Sequence, residues 1–229
     1  MVLKWNKQFE YPKSVRELIN DKRHYAIGDE KLPSVTTILS ATQSEEKQDS
    51  LKRWIAKVGE NEAERVKNTA GARGTKMHSI LEGYIEGENV LDLTETGGEA
   101  HRMANTIIDQ GFKDLDEIWG SEATLAYPGL YAGATDLVGI YQGRDSIIDF
   151  KQSNKPKKVE WIEDYKLQGA AYATAHDYMF KTEIEQIVIL MCTPDCFFQR
   201  FIINGKEFRE YKWKWLERVN RYYEQRHDS

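Results

Sequence analysis

The sequence has only two cysteines, Cys192 and Cys196, among its 229 residues. Two thiols cannot by themselves supply the four ligands of a structural zinc site or an iron–sulfur cluster. If residues 192–196 formed one continuous strand, the two thiols would be too far apart for a good disulfide. A turn at Pro194 would still allow a disulfide between them. We expect two reduced, structural thiols, as in a cytosolic compartment.

The sequence also lacks long apolar runs and an excess of positive charge. No stretch is apolar over the length of a membrane span, and residues 1–7 have no apolar region of the signal-peptide kind. The net charge of −5 argues against a globally basic nucleic-acid coat, but a local basic groove remains open if some carboxylates hold metal. We expect a cytoplasmic protein with no membrane contact.

The order of the hydrophobic patterns predicts the fold. Residues 1–32 show no clear period, so we expect an irregular arm or short helices there. Helical patterns follow, the first beginning at a candidate N-cap, Ser34. From Ile118 onward the pattern predicts three strands, a helix, two strands and a terminal helix. This order is typical of an α/β fold with a mixed central sheet flanked by helices.

The length of the chain suits one sizeable α/β domain with a smaller lobe. We expect residues 1–112 to form a helical lobe that contributes His78 to the site. Residues 113–229 should form the core, and the two parts should make one compact unit.

The stretch over residues 131–151 organises the rest of the chain. Two strand-like runs joined through a Gly-containing break predict a hairpin. Because side chains alternate along a strand, Asp149 and Lys151 should share one face while Phe150 points into the core. Asp136 on the partner strand would be within reach of both. Half-buried charges need partners, and a divalent cation is the obvious partner for two aspartates.

A histidine upstream could complete this site. His78 lies four residues before Glu82 on a predicted helix, and taken alone it is more often a core or surface histidine. Beside two aspartates a ligand becomes the better interpretation. Such a set suits phosphodiester hydrolysis with one or two Mg²⁺ or Mn²⁺ ions, and histidine favours manganese. Lys151 could orient the attacking water or neutralise charge on the phosphate.

The helix after the hairpin carries Tyr165, Gln168 and Tyr172 on one face. Gln168 could hold a nucleic-acid oxygen or a site water, and Tyr172 could brace it. Small residues at positions 169–171, 173 and 175 would let this helix lie close to a sheet.

These motifs carry a resemblance. Gly133-x-x-Asp136, Asp149-Phe-Lys151 and Gln168-x-x-x-Tyr172 resemble the PD-(D/E)XK nuclease superfamily, and Gly74-x-x-x-His78 resembles its RecB-like branch. The likeness is closer still to the mitochondrial genome maintenance exonuclease family and its phage relatives. It runs in the same order over residues 30–225 and includes Pro33-Ser-Val-Thr36 and Leu51-x-Arg53-Trp54. One departure is Thr135, where the superfamily's name has proline.

The resemblance implies a restriction-endonuclease-like fold and assigns roles to the candidate residues. The metal ligands would be His78, Asp136, Asp149 and the carbonyl of Phe150. Lys151, Asp136, Asp149 and Gln168 would be the catalytic residues. The implied activity is a single-stranded-DNA exonuclease that needs free ends and acts as a monomer in phage or bacterial DNA processing, recombination or repair. A phage enzyme would work in the host-cell cytoplasm.

Further residues are candidates for the nucleic-acid path. A basic loop lies directly beyond Lys151, and the side chains expected to contact DNA are Lys155, Lys157, Lys158, Tyr172, Arg73 and Lys76. Two acids, Glu82 and Glu122, are candidates for an auxiliary role. For Glu122 an ordinary solvated strand position is the more common alternative.

Three alternatives stay open. The first is an endonuclease of the same superfamily; a CRISPR adaptation nuclease usually carries a four-cysteine cluster, which two cysteines cannot build. The second is a DNA-binding module that has lost its chemistry, although a degraded site should lack at least one of the acids or the lysine. The third is a coincidental buried network of charges without chemistry.

Overall fold

The computed structural model describes residues 3–88 and 90–227. Its amino-terminal half contains three strands and four helices: β1 (Val15–Ile19), β2 (Lys22–Ile27), β3 (Glu30–Pro33), α1 (Val35–Ala41), α2 (Glu45–Val58), α3 (Glu60–Glu86) and α4 (Glu95–Gly111). Its carboxy-terminal half contains five strands and two helices: β4 (Leu115–Tyr127), β5 (Tyr131–Tyr141), β6 (Arg144–Gln152), α5 (Glu163–Phe180), β7 (Gln186–Cys192), β8 (Phe198–Asn204) and α6 (Gly205–His227).

The central sheet has five strands in the order β4-β5-β6-β7-β8. Neighbouring strands are antiparallel except β6 and β7, which are parallel and are joined through α5. The predicted mixed sheet flanked by helices is therefore confirmed. β7 is buried along its whole length, as expected for a strand covered on both faces.

The predicted hairpin of β5 and β6 forms with a two-residue turn at Gln142 and Gly143. Both residues have positive φ, 49° and 73°. This combination gives the turn a twist that matches the twist of the flanking strands. The turn places the Asp136 end of β5 beside the Asp149 end of β6.

Helices cover both faces of the central sheet. On one face, α3 and α4 pack against β5, β6 and β7 in a hydrophobic cluster that includes Met77, Ile107 and Phe150. On the other face, α1, α5 and α6 share a second cluster with inward side chains such as Ile189 and Trp215. Helices α1, α3 and α4 thus bury their apolar faces on the sheet, whereas α2 has no buried residue. Of the predicted units 1–112 and 113–229, positions 1, 2, 89, 228 and 229 lie outside the described residues.

The expectation of an irregular arm or short helices over residues 1–32 was wrong for residues 15–32, whereas residues 3–14 form no regular helix or strand. Residues 15–33 form a three-stranded antiparallel sheet, β1-β2-β3, called here the amino-terminal sheet. Asn20 and Asp21 turn the chain between β1 and β2 with φ of 51° and 58°, a conformation that Asn and Asp tolerate better than most residues. A bridge between Ser34 and Ala132 of β5 attaches this sheet to the core.

The predicted helix start at Ser34 is confirmed. Its side chain accepts a hydrogen bond from the amide of Thr37 at 3.0 Å, so it caps α1.

Candidate active site

The two strands of the hairpin, β5 and β6, separate at the end that carries Asp136 and Asp149. Pairing between β5 and β6 stops at Leu137 and Ile148, and beyond this point β6 continues its pairing with β7 alone. The amide of Phe150 donates instead to the Asp136 carboxylate at 2.6 Å. The side chain of Asp136 therefore replaces a backbone acceptor and is held at the fork between the strands.

Asp149 and Lys151 share the face opposite Phe150, as predicted. Asp149 Oδ2 lies 2.5 Å from Lys151 Nζ, and the Asp149 side chain is only 4% exposed. Burial raises the pKa of Asp149 to about 6, against the opposing charge of Lys151. Burial alone would lower the pKa of Lys151, but Asp149 and Asp136 outweigh burial and raise it. The lysine therefore stays an ammonium group between two carboxylates.

Helix α5 orients this ammonium. Lys151 Nζ donates to Gln168 Oε1 at 3.0 Å, and Gln168 Nε2 donates to the Tyr172 hydroxyl at 3.2 Å. Nζ also lies 5.1 Å from the centre of the Tyr165 ring. Gly133 makes room for the tyrosine, since a Cβ there would lie 2.7 Å from a Tyr172 ring carbon. The three helix residues picked out by their spacing thus surround the lysine or brace its partner.

His78 reaches the same place from α3. Its Nε2 lies 2.9 Å from the Phe150 carbonyl oxygen and 3.4 Å from Asp136 Oδ2, while Nδ1 lies 2.8 Å from the Gly74 carbonyl oxygen. Desolvation would lower the pKa of His78, but the Asp136 carboxylate and the Gly74 carbonyl outweigh it and raise the pKa to about 9. Reciprocally, the pKa of Asp136 is lowered, although burial opposes this shift.

The residues fit a divalent cation in chemical type. Both nitrogens of His78 face acceptors, so without metal each must carry a proton. With Nδ1–H donated to Gly74, the Nε2 lone pair is free for a cation that would take the place of the second proton. The carbonyl of Phe150 and the carboxylate of Asp136 already face that position with oxygen atoms, which suit Mg²⁺ and Mn²⁺.

Asp149 is the ligand candidate that does not yet face this position. Its Oδ2 makes no hydrogen bond of regular geometry, although Lys151 Nζ is close. Across residues 3–88 and 90–227, no group of three or more His, Cys, Asp and Glu side chains is arranged as a ready-made metal cage. Recruitment of Asp149 to a cation shared with Asp136 would require its carboxylate to turn from the lysine.

A cavity of about 450 Å³, called here the site cavity, opens beside Asp136 and His78. The two predicted auxiliary acids, Glu82 and Glu122, both line it. Burial, together with Asp136 and Glu82, raises the pKa of Glu122 to about 7. Glu122 is half-buried and shares this cavity with His78 and Asp136, so it is not an ordinary solvated strand residue. His78, Asp136, Asp149 and Lys151 are called here the charged cluster.

Of the predicted DNA contacts, Lys155 and Lys157 lie on the loop that follows β6. They line a separate cavity of about 600 Å³ with Trp54 and Tyr165, called here the basic-loop cavity. Lys158 is exposed farther along the same loop, with its ammonium 5.2 Å from the centre of the Trp161 ring. Tyr172 is buried and reaches the site cavity beneath Gln168.

Arg73 and Lys76 are held by protein groups instead. The buried Arg73 guanidinium donates to Gln152 and Asn154 and pairs with Glu99. Lys76 pairs with Asp92 and donates to Thr94 at the start of α4. Because these partners already satisfy them, both cations join α3 to neighbouring segments. Sequence spacing could not reveal those partners.

The sequence-based interpretation missed the contribution of the amino-terminal sheet. Arg16, Arg23, Tyr25 and Ser34 line the site cavity opposite α3. The turn residues Asn20-Asp21 and the alternation in Lys22–Ile27 were the signal that could have identified a hairpin here.

The cysteines and the helices were also the subject of expectations from the sequence. Cys192 is buried, Cys196 is half-buried, and both are free thiols. Among the described residues, no helix is both long and apolar enough to span a membrane.

Comparison with known proteins gives relatives that are named exonucleases. The chain is 28% identical over 204 residues to mitochondrial genome maintenance exonuclease 1 of Mus musculus, and 27% identical over 205 residues to that of Homo sapiens. These alignments cover 84% and 85% of the chain, but the chain spans only 59% of the length of either relative. The likeness supports a nuclease family.

Structural comparison gives more distant matches. A structure from Eubacterium rectale, described as a candidate exonuclease, matches with a TM-score of 0.47 and 16% identity over 66% of this chain and 63% of that one. No protein-family model matches the sequence.

Proposed function

We propose that the protein is a metal-dependent exonuclease that hydrolyses phosphodiester bonds of single-stranded DNA from free ends. The observation that carries the proposal is the convergence of the charged cluster, His78, Asp136, Asp149 and Lys151, beside the site cavity that His78 and Asp136 line. Likeness to named exonucleases over most of the chain supports the same activity. We also infer phage or bacterial DNA processing as the setting, from the resemblance of the motifs to a family that has phage members.

The cluster offers separate groups for binding a cation and for handling the phosphate. His78 Nε2, the Phe150 carbonyl, Asp136 and Asp149 would hold Mg²⁺ or Mn²⁺. When bound, such an ion supplies Lewis-acid chemistry and lowers the pKa of a coordinated water. Asp136 keeps its negative charge at neutral pH because its pKa is lowered, so it is ready to bind a cation without losing a proton.

Lys151 acts on the phosphate rather than on the cation. Its ammonium is kept charged by Asp149 and Asp136 and oriented by Gln168. From there it stabilises the negative charge that grows on the phosphate oxygens, or holds the attacking water by a hydrogen bond. Gln168 is a positioning residue, since it reaches the reaction through Lys151, and Tyr172 restrains Gln168 in turn.

Purified protein incubated with oligonucleotides labelled at the 5′ or the 3′ end, with and without Mn²⁺, tests the proposal. We expect shortening of linear single strands that depends on the ion, while closed single-stranded circles persist. Efficient cutting of circles would favour the endonuclease alternative. Tight binding of single strands without any cleavage in Mn²⁺ or Mg²⁺ would favour a silent DNA-binding module.

A further inference from the structure

The amino-terminal sheet presents one charged face to the site cavity. Arg23 and Tyr25 alternate onto the same face of β2, and in the register of the sheet they lie opposite Leu18 and Arg16 of β1. Arg16 stacks over Tyr25, with 5.8 Å from its guanidinium carbon to the ring centre, and reaches Glu122 at 3.5 Å. Arg16 therefore already has an aromatic and an acidic partner.

Arg23 is held differently. Its backbone carbonyl accepts hydrogen bonds from the Ser34 amide at 3.0 Å and the Thr37 hydroxyl at 2.9 Å, which fixes this point of β2 against α1. Its side chain is exposed, and among the described residues it has no hydrogen bond or ion pair with another side chain. The backbone is rigid while the guanidinium is left for solvent or a ligand.

The position of this guanidinium joins two cavities. Arg23 and Thr36 line both the site cavity and a neighbouring cavity of about 740 Å³, called here the hairpin cavity. Arg23 therefore stands at the passage from the charged cluster to the surface formed by β1, β2 and the end of α6. The basic-loop cavity lies on the other side of the cluster, next to Tyr165.

The charges along this path favour a phosphate at Arg23. The site cavity is mixed in charge, since the carboxylates of Glu82, Glu122 and Asp136 share it with the cationic side chains of Arg16, Arg23 and His78. The hairpin cavity has the more positive lining, since the side chains of Lys22, Arg23 and Arg226 outnumber its single carboxylate, that of Asp21. Leu18, which is 74% exposed, adds an apolar surface suited to a sugar or a base. An exposed arginine is ordinarily just solvated, but this one lies where the mixed site cavity meets the more positive hairpin cavity.

We propose that Arg23 binds a backbone phosphate of the single-stranded DNA substrate, so that the strand passes from the charged cluster over the amino-terminal sheet. This inference rests on the proposed function and adds a second side to the path, opposite the loop that carries Lys155 and Lys157. A guanidinium can hold a phosphate through two parallel N–H···O bonds, which gives Arg an advantage over Lys at such a position.

Arg23→Ala, Arg23→Lys and the control Arg144→Ala test the assignment. Arg144 is equally exposed but begins β6, at the end of the strand far from Lys151. Binding of a labelled oligonucleotide is measured by fluorescence anisotropy in Ca²⁺, and hydrolysis is measured in Mn²⁺. We expect Arg23→Ala to raise Kd and KM about five- to tenfold, while kcat stays within about twofold of the wild type. The slope of log Kd against log salt concentration should fall by the amount that corresponds to about one phosphate contact. Arg23→Lys should retain part of the affinity, and Arg144→Ala should match the wild type.

Oligonucleotides of decreasing length add a second readout. If Arg23 binds a phosphate beyond the cluster, its contribution disappears once the strand is too short to reach it, whereas a general loss of folding would affect every length. If the wild type hydrolyses DNA and Arg23→Ala has the same KM as the wild type, the Arg23 assignment alone is overturned. Arg23-dependent binding without hydrolysis would support the assignment and overturn the exonuclease, and absence of binding by the wild type would overturn both.

Discussion

Two histidines of this protein lie in polar clusters of opposite character. His176 is buried on α5, where its ring nitrogens contact two hydroxyl groups, of Tyr11 at 3.2 Å and Thr182 at 2.7 Å. Hydroxyls can donate or accept, so they satisfy a neutral ring, and burial lowers the pKa of His176 to about 4. His78 instead faces carbonyl and carboxylate oxygens, which only accept.

The comparison shows how burial can be separated from function. Around His176 every polar contact is complete, and the aromatic rings of Phe9, Trp119 and Phe180 enclose it. A neutral His78 ring carries one N–H group, but acceptors face both of its nitrogens. Charged groups of both signs also lie close together beside the site cavity. Such a cluster is typical of sites maintained for binding or catalysis.

Loss of the lysine should have the largest effect. Lys151→Ala removes the only ammonium that contacts Asp149 among the described residues, so we expect kcat on linear single strands to fall at least about a thousandfold. DNA affinity should stay nearly unchanged. The matched control is Lys166→Ala, since Lys166 is also buried and paired with an acid, Glu207, but lies on α5 outside the charged cluster. Undiminished turnover in Lys151→Ala would remove the lysine from the mechanism.

Exchange of each histidine for glutamine sharpens the comparison directly. His78→Gln should lower kcat/KM at least about a hundredfold, because a ligand of the cation is lost. His176→Gln should leave kcat/KM unchanged and reduce the melting temperature by several degrees, because buried hydrogen bonds are disturbed. Kinetics and thermal unfolding of both variants check this crossed pattern, and the same profile in the two variants would contradict it.

Substitutions of Gln168 and Tyr172 on α5 should have intermediate effects. Gln168→Ala frees the Lys151 ammonium to shift, and we expect kcat to fall about tenfold with little change in KM. Tyr172→Phe removes only the hydroxyl that holds Gln168, and the loss should be about threefold. A larger effect of Tyr172→Phe than of Gln168→Ala would show that the tyrosine acts on the substrate itself.

The acid stability of the protein tests the other side of the comparison. His176 has a lowered folded pKa of about 4 against 6.5 in the unfolded chain, so its neutral form stabilises the fold above pH 6.5. That contribution is lost as the pH falls from 6.5 towards 4, by at most about 1.4 kcal/mol per pH unit. Tyr11, which faces the ring, stays protonated because burial raises its pKa. Urea unfolding across this range should show that the free energy of unfolding falls less steeply with decreasing pH in His176→Gln than in the wild type.

Much of the fold and of the charged cluster could be predicted from local patterns. Alternation placed Asp149 and Lys151 on one face, and helical spacing placed Gln168 and Tyr172 together. These relations hold within one element or one tight hairpin, so the sequence determines them directly. The convergence of His78 with Asp136 joins segments far apart in the chain and was predicted from the family resemblance.

The amino-terminal sheet and the hydrogen bonds and ion pair of Arg73 could not be predicted in the same way. Residues 15–33 lack a continuous apolar period because the sheet is short and one of its faces lines a cavity. Arg73 appeared to be a free cation because Gln152 and Glu99 are distant in sequence. Such partners become visible only after tertiary packing brings them together.

The most direct test of the account is the effect of Mn²⁺ on the melting temperature. If His78, Asp136 and Asp149 hold the cation, stability should rise with Mn²⁺ concentration, by about 2.7 kcal/mol at one hundred times Kd. Asp136→Asn should abolish that rise, while Asp145→Asn, at the opposite end of β6 from the cluster, should retain it. A melting temperature of the wild type that stays constant at saturating Mn²⁺, or that rises equally in Asp136→Asn, would contradict the metal site on which the account rests.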